Sequence, residues 1–204
     1  MPPRTYVSSV RSAAAAETRE RVIEAASRTL REESIARFSL DTVAKAAGVT
    51  RLTVYNQFGS RRGLLEAVFD EIAQAGGLHQ IADAMAMADP RAALDRLVGI
   101  FGTFWSRDSA VGRLQDAMVT DPEFAEAVRD RNERRRRGLT ALIDRIAGRD
   151  ASPHARKDAV DLIFTLTSYP TFASLSAGRS RDEVCRIVQE ACHAALAPLS
   201  NPSA

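Results

Sequence analysis

The 204-residue chain reads as all-α, with a small N-terminal helical unit followed by a larger one. Three observations carry that prediction. Along most of the chain, apolar residues recur three and four apart between charged ones, the period of a helix with one buried face. The alanine and leucine content favours helix, with only scattered β-branched runs to oppose it. No segment alternates with the two-residue period of a half-buried strand, and no internal repeat competes.

The elements follow in order. Residues 1–16 read as a mobile arm ending in a helix start, and residues 17–33 as an amphipathic helix burying Val22, Ile23, Ala26 and Leu30. After a connector at 34–38, Ser39 is placed to cap a helix running to about residue 47, and Asp41 suits the positive end of its dipole. Gly48 ends that helix with left-handed backbone. Thr50 then caps a short helix at 51–57, whose Val54 turns to the same core as Phe58. Gly59 and Ser60 break it, and a fourth helix at 61–74 buries Leu64, Leu65, Val68 and Ile72. Residues 76–90, with Gly76 and Gly77, read as a hinge. Longer helices are predicted at 91–106, 109–119, 122–147, 153–177 with a kink at Pro170, and 181–196, followed by a polar tail at 199–204. The domains are therefore expected at 17–75 and 76–198.

Composition narrows the function classes. Hydrophobic residues at 45% and charged residues at 26% are ordinary for a folded domain. A formal net charge of +2 offers no general argument for nucleic acid, so any such argument has to be local. Cys185 and Cys192 form neither a CxxC nor a multi-cysteine framework and read as reduced thiols. No apolar run approaches the roughly 18 residues of a membrane span, and the N-terminus has no apolar signal core, so a cytoplasmic protein is expected.

The local argument lies in AGVTRLTVYNQF, residues 47–58. Two short helices joined at Gly48, the second presenting Thr50, Arg51, Leu52, Thr53, Tyr55, Asn56 and Gln57, make a helix-turn-helix. Arg and Asn carry the bidentate groups that read guanine and adenine edges, while hydroxyls and amides suit phosphate oxygens. Residues 38–72, FSLDTVAKAAGVTRLTVYNQFGSRRGLLEAVFDEI, resemble the DNA-binding domain of TetR-family transcriptional regulators. Thr42, Ala44, Ala47-Gly48-Val49, Thr53, Tyr55, Phe58, Arg61 and Leu64 carry the resemblance. It implies that Thr42, Tyr55 and Arg61 contact phosphates and that Arg51, Leu52 and Thr53 face the major groove. Gln57 stands where the family usually has a phosphate-binding histidine, Arg61 replaces a usual lysine, and Leu52 replaces a frequent glycine. A leucine there sits against thymine methyl groups or holds the helix off, and the first reading is preferred.

The resemblance further implies a homodimer through the last two helices, reading a palindromic operator, with a helical domain that binds a small-molecule effector. Val160, Ile163, Phe164, Leu166, Val184, Ile187, Val188 and Ala191 are apolar enough to supply such an interface. Candidate walls for the effector are Phe101, Phe104, Trp105, Leu114, Met118, Leu142, Phe164, Tyr169 and Phe172, with Thr165, Thr167 and Tyr169 as polar contacts. So apolar a set leans toward a largely apolar effector. The run RRRR at 134–137 reads as stems lying over apolar surface with ion pairs at helical spacing, in preference to an anionic-ligand contact.

No enzyme is expected, and no cofactor or metal. Glu190 and His193 form one Glu-x-x-His without the second copy that a di-iron bundle needs, and HExxH, GxSxG and P-loop motifs are missing. The expected function is a ligand-responsive transcriptional repressor. The alternative is a helical ligand-binding or interaction protein with a degenerate helix-turn-helix.

Overall fold

The computed structural model describes residues 5–33, 35–148 and 151–199. Eleven α-helices are present among them: α1 (Thr5–Glu32), α2 (Leu40–Ala47), α3 (Arg51–Phe58), α4 (Arg61–Ala75), α5 (Ile81–Met85), α6 (Pro90–Arg107), α7 (Ala110–Thr120), α8 (Pro122–Ile146), α9 (Pro153–Leu166), α10 (Tyr169–Leu175) and α11 (Arg181–Ala195). Short 3-10 turns sit at Ile35–Arg37, Leu78–Gln80 and Ala197–Leu199. Among the described residues there is no strand. None of the helices is long and apolar enough to cross a membrane.

The chain divides into two units, Met1–Glu71 with Ser109–Glu126, and Ile72–Asp108 with Ala127–Ala204. The division falls inside α4, at the connection between α6 and α7, and inside α8. It differs from the expected boundary in one respect: α7 and the start of α8 belong with the N-terminal helices, because α7 packs against α1 and the turn at Ile35–Arg37. The core of this first unit is Val22, Ala26, Leu30, Phe38, Val43, Val54, Leu64, Leu65 and Val68, each almost wholly buried. Every leucine or valine so removed from water contributes about 1.5–3 kcal/mol before the entropy of ordering is subtracted.

The expected arm at 1–16 is corrected from Thr5 onward, where α1 already runs. Four successive alanines, the best helix formers, precede Glu17 and carry the helix backward. A second correction concerns residues 153–177. The chain does not bend at Pro170 within one helix: α9 ends at Leu166 and α10 restarts after the extended Ser168, with Pro170 in its first turn, where no N–H is needed.

In the second unit α6 lies against α5, α10 and α11, and α11 against α9. Asp89 caps α6 by accepting from the Arg91 and Ala92 N–H groups, and Ser180 with Glu183 closes a reciprocal capping box on α11. Of the residues expected at a dimer interface, Val160, Ile163, Val184 and Val188 are buried in this unit's own core. Leu166 and Ile187 are half-buried, and on α9 Leu162 is exposed. Burial pushes the Cys192 thiol up to about 12, with Asp95 nearby adding to the effect, and burial also raises Cys185. Both thiols are therefore poor nucleophiles at neutral pH. Glu190 pairs with Arg186, and His193 hydrogen-bonds Asp95 at 2.7 Å.

Candidate nucleic-acid interface

Local chemistry builds the two-helix element. The Ser39 hydroxyl accepts from the Thr42 N–H at 3.1 Å, starting α2, and Gly48 ends it at φ 66°, a left-handed conformation that costs a side-chain-bearing residue about 1–2 kcal/mol. Two residues later the Thr50 hydroxyl accepts from the Thr53 N–H at 3.1 Å and starts α3. The turn is thus closed by caps on both sides, so the direction of α3 relative to α2 is set by residues 48–50 and by the burial of Val54 beneath it.

At about 100° per residue, positions 51, 52, 55 and 56 fall on one side of α3. Arg51, Leu52, Tyr55 and Asn56 are all exposed there, with Leu52 at 65% and Tyr55 at 53%. Two large apolar bodies turned to water on an eight-residue helix are not explained by packing within the unit. Arg51 is held loosely by Asp41 at 3.3 Å, an exposed ion pair of little net worth. Its guanidinium can leave that partner for a base edge at small cost.

Of the remaining sequence candidates Thr50 is exposed, and Thr42, Thr53, Gln57 and Arg61 are half-buried. Thr53 exchanges a hydroxyl contact with Thr50 at 2.9 Å, and the Thr42 hydroxyl donates to the Arg37 carbonyl at 3.0 Å. Gln57 donates from Nε2 to the Ala15 carbonyl at 3.3 Å, while Arg19 donates to the Gln57 carbonyl at 3.2 Å and covers the Phe58 ring at 4.5 Å. Gln57 therefore clasps α1 to the end of α3, a role that its position in the sequence does not announce.

Arg61 has partners within its own unit. Nε donates to the Phe38 carbonyl at 3.0 Å, Nη1 to Asp121 Oδ2 at 3.0 Å, and the guanidinium lies 5.7 Å from the centre of the Phe38 ring. Asp121 also accepts the Phe124 N–H at the start of α8. Arg61 so ties α4 to the 35–38 connector and to the α7–α8 turn inside one unit. Arg61→Met is expected to lose about 1–3 kcal/mol in urea unfolding, because it strands a mostly buried carboxylate. Unchanged stability with weakened DNA binding would put Arg61 on phosphate instead.

Residues 22–68 match the sequence profile of the bacterial regulatory proteins, tetR family. The helix-turn-helix is that of the tetR family. The chain is 31% identical over 108 residues to the HTH-type transcriptional regulator EthR of Mycolicibacterium smegmatis, covering 52% of this chain and 49% of that one. With the HTH-type transcriptional regulator TtgR of Pseudomonas putida it shares 29% over 137 residues, 64% of this chain and 61% of the relative. These matches span about half to three-fifths of the curated relatives' length. A transcriptional regulator from Rhodococcus sp. Rha1 shares the fold at a TM-score of 0.68 and 19% identity, over 87% of this chain and 95% of that one.

The residues expected to wall an effector site fall in both units. Leu114 and Met118 belong to the unit that holds the helix-turn-helix. Phe101, Phe104 and Leu142 are buried in the second unit, and the exposed Thr165 donates its hydroxyl to the Asp161 carbonyl. Trp105, Tyr169 and Phe172 do converge, around a cleft of about 320 Å³ that Gly102, Val184, Arg179 and Arg181 also line. The Trp105 indole N–H donates to the Thr167 carbonyl at 3.1 Å. A larger hollow of about 500 Å³ runs along α1, but Glu17, Glu20, Glu24 and Glu71 line it, which suits neither a phosphate backbone nor an apolar guest.

Proposed function

We propose that the protein is a homodimeric transcriptional repressor that reads a palindromic operator with α3 and responds to a small molecule bound in its second unit. The exposed Arg51, Leu52, Tyr55 and Asn56 face of α3 carries this reading. Arg51 and Asn56 have the donors and acceptors for base edges, Leu52 offers apolar contact for a thymine methyl, and Tyr55 reaches phosphate. Repression needs nothing beyond occupancy of the site. One helix-turn-helix covers too little DNA for specificity, so two copies with α3 in successive major grooves are required. The half-buried Leu166 and Ile187 and the exposed Leu162 are apolar surface on the last helices that a second copy would cover.

Response to the small molecule is a matter of linkage. The chain passes between its units inside α4, at the α6–α7 connection and inside α8, and an effector that prefers a form with the wrong spacing of recognition helices weakens operator binding by its differential affinity for the two forms. Selection from a random duplex pool by the purified protein tests the reading. It should return an inverted repeat whose halves lie about 34–36 Å apart or a multiple of that. A single unrepeated motif would contradict the dimer, and no enrichment at all would favour a helix-turn-helix that no longer reads DNA.

A further inference from the structure

Four arginines of the second unit, Arg136, Arg156, Arg181 and Arg186, pair with acids, and Arg135 does not although it is far from fully exposed. Arg136 pairs with Asp161, and Arg156 with Asp144 at 3.0 Å. Arg135 is largely buried yet meets no carboxylate among the described residues: its Nη2 donates to the Phe164 carbonyl and the Thr167 hydroxyl, both at 2.6 Å. Nε is buried with no acceptor at all. The guanidinium is flanked by the rings of Phe101 at 4.8 Å and Phe164 at 4.3 Å.

Such an arrangement is expensive for a chain that needs only stability. A buried cation loses its hydration, and two neutral oxygens and two rings replace it only in part. Burial, with the charge of Arg136 beside it, lowers Arg135 to about 10, which still leaves it cationic at neutral pH. Carboxylates are the usual answer, as Arg136 and Arg156 show. A missing counter-charge at a site lined by aromatic rings is what a protein presents when the counter-charge arrives with the ligand. Trp105 joins this site to the cleft: its ring stacks with Phe101 at 6.3 Å, its indole shares Thr167 with Arg135, and it lines the cleft beside Tyr169 at 5.7 Å.

We propose that Arg135 is the anion-binding group of the effector site, and that the effector is a monoanion with an apolar body: a carboxylate or sulfonate head directed to Arg135 and hydrophobic surface against Trp105 and Tyr169, which line the cleft. The proposal rests on the second unit being the effector-binding one and narrows the largely apolar effector expected from the sequence.

Two fluorescent probes with the same body test it: 8-anilinonaphthalene-1-sulfonate and its neutral counterpart N-phenyl-1-naphthylamine. Each is titrated against the intact protein without DNA, read by probe emission and by energy transfer from Trp105, the only tryptophan. The sulfonate should bind about tenfold or more tightly than the neutral probe. Arg135→Gln should erase that preference while leaving the neutral probe's binding unchanged, and Arg135→Lys, which keeps the charge, should restore part of it. Equal binding of both probes, binding of neither, or a preference that survives in Arg135→Gln would overturn the proposal. Because no DNA is present, these results are independent of the operator selection: failure of the selection with an intact probe preference would strike the regulator reading alone.

Discussion

Arg51→Ala should bind its operator about 30-fold to 25,000-fold more weakly, with no loss of thermal stability. A bidentate contact to a base edge is worth about 1–3 kcal/mol, and a symmetric dimer loses it in both half-sites, so the deficits add to about 2–6 kcal/mol. The folded protein loses only the exposed Asp41 pair, whose two side chains are each roughly two-thirds accessible, so the melting temperature should not move. Fluorescence anisotropy on the selected duplex, with calorimetry on the free protein, checks both parts. A variant that melts normally and binds as tightly as the parent would remove Arg51 from the groove.

Gly63→Ala should cost more stability than any surface change in the first unit and should weaken DNA binding with it. A Cβ at residue 63 would lie 2.1 Å from the carbonyl oxygen of Phe58 and 3.3 Å from its carbon. Backbone atoms do not swing aside as a side-chain terminus does, so either the start of α4 or the end of α3 has to move, at about 1–3 kcal/mol or more. Movement at Phe58 drags Tyr55 and the Gln57 clasp on α1. Gly138→Ala is the matched control, since its added Cβ meets nothing within 4 Å and alanine is the better helix former by about 1 kcal/mol. Urea midpoints should fall for the first variant and hold or rise for the second.

These two residues mark where sequence reasoning succeeds and where it stops. Arg51 was legible because its surroundings are local: Ser39, Gly48, Thr50 and Val54 declare two capped helices and a turn within sixteen residues, and the outward positions follow from the helical period. Gly63 was not, because its importance comes from the close approach of α3 and α4, which no propensity encodes. The resemblance implies a phosphate role for Arg61, and its bond to Asp121 was not legible because that partner lies 60 residues away. That α7, with Leu114 and Met118, belongs to the unit of the helix-turn-helix was hidden for a related reason: spacing shows that a helix face is buried without showing what buries it, and α7 packs against α1. Arg135 was hidden within a run of four arginines, where only the fold separates the one whose Nε is buried without an acceptor from its neighbour paired to Asp161.

The claim that the α3 face reads sequence, and does not merely attract phosphate, is tested most directly by titrating the protein against its selected duplex and a scrambled duplex of equal length across a salt series. Phosphate contacts release counterions and weaken with salt on any sequence, whereas base contacts do not depend on salt in that way. The account predicts that affinity for both duplexes falls as salt rises while the preference for the selected one persists. Equal affinities falling along the same slope would show a helix-turn-helix that grips DNA without reading it.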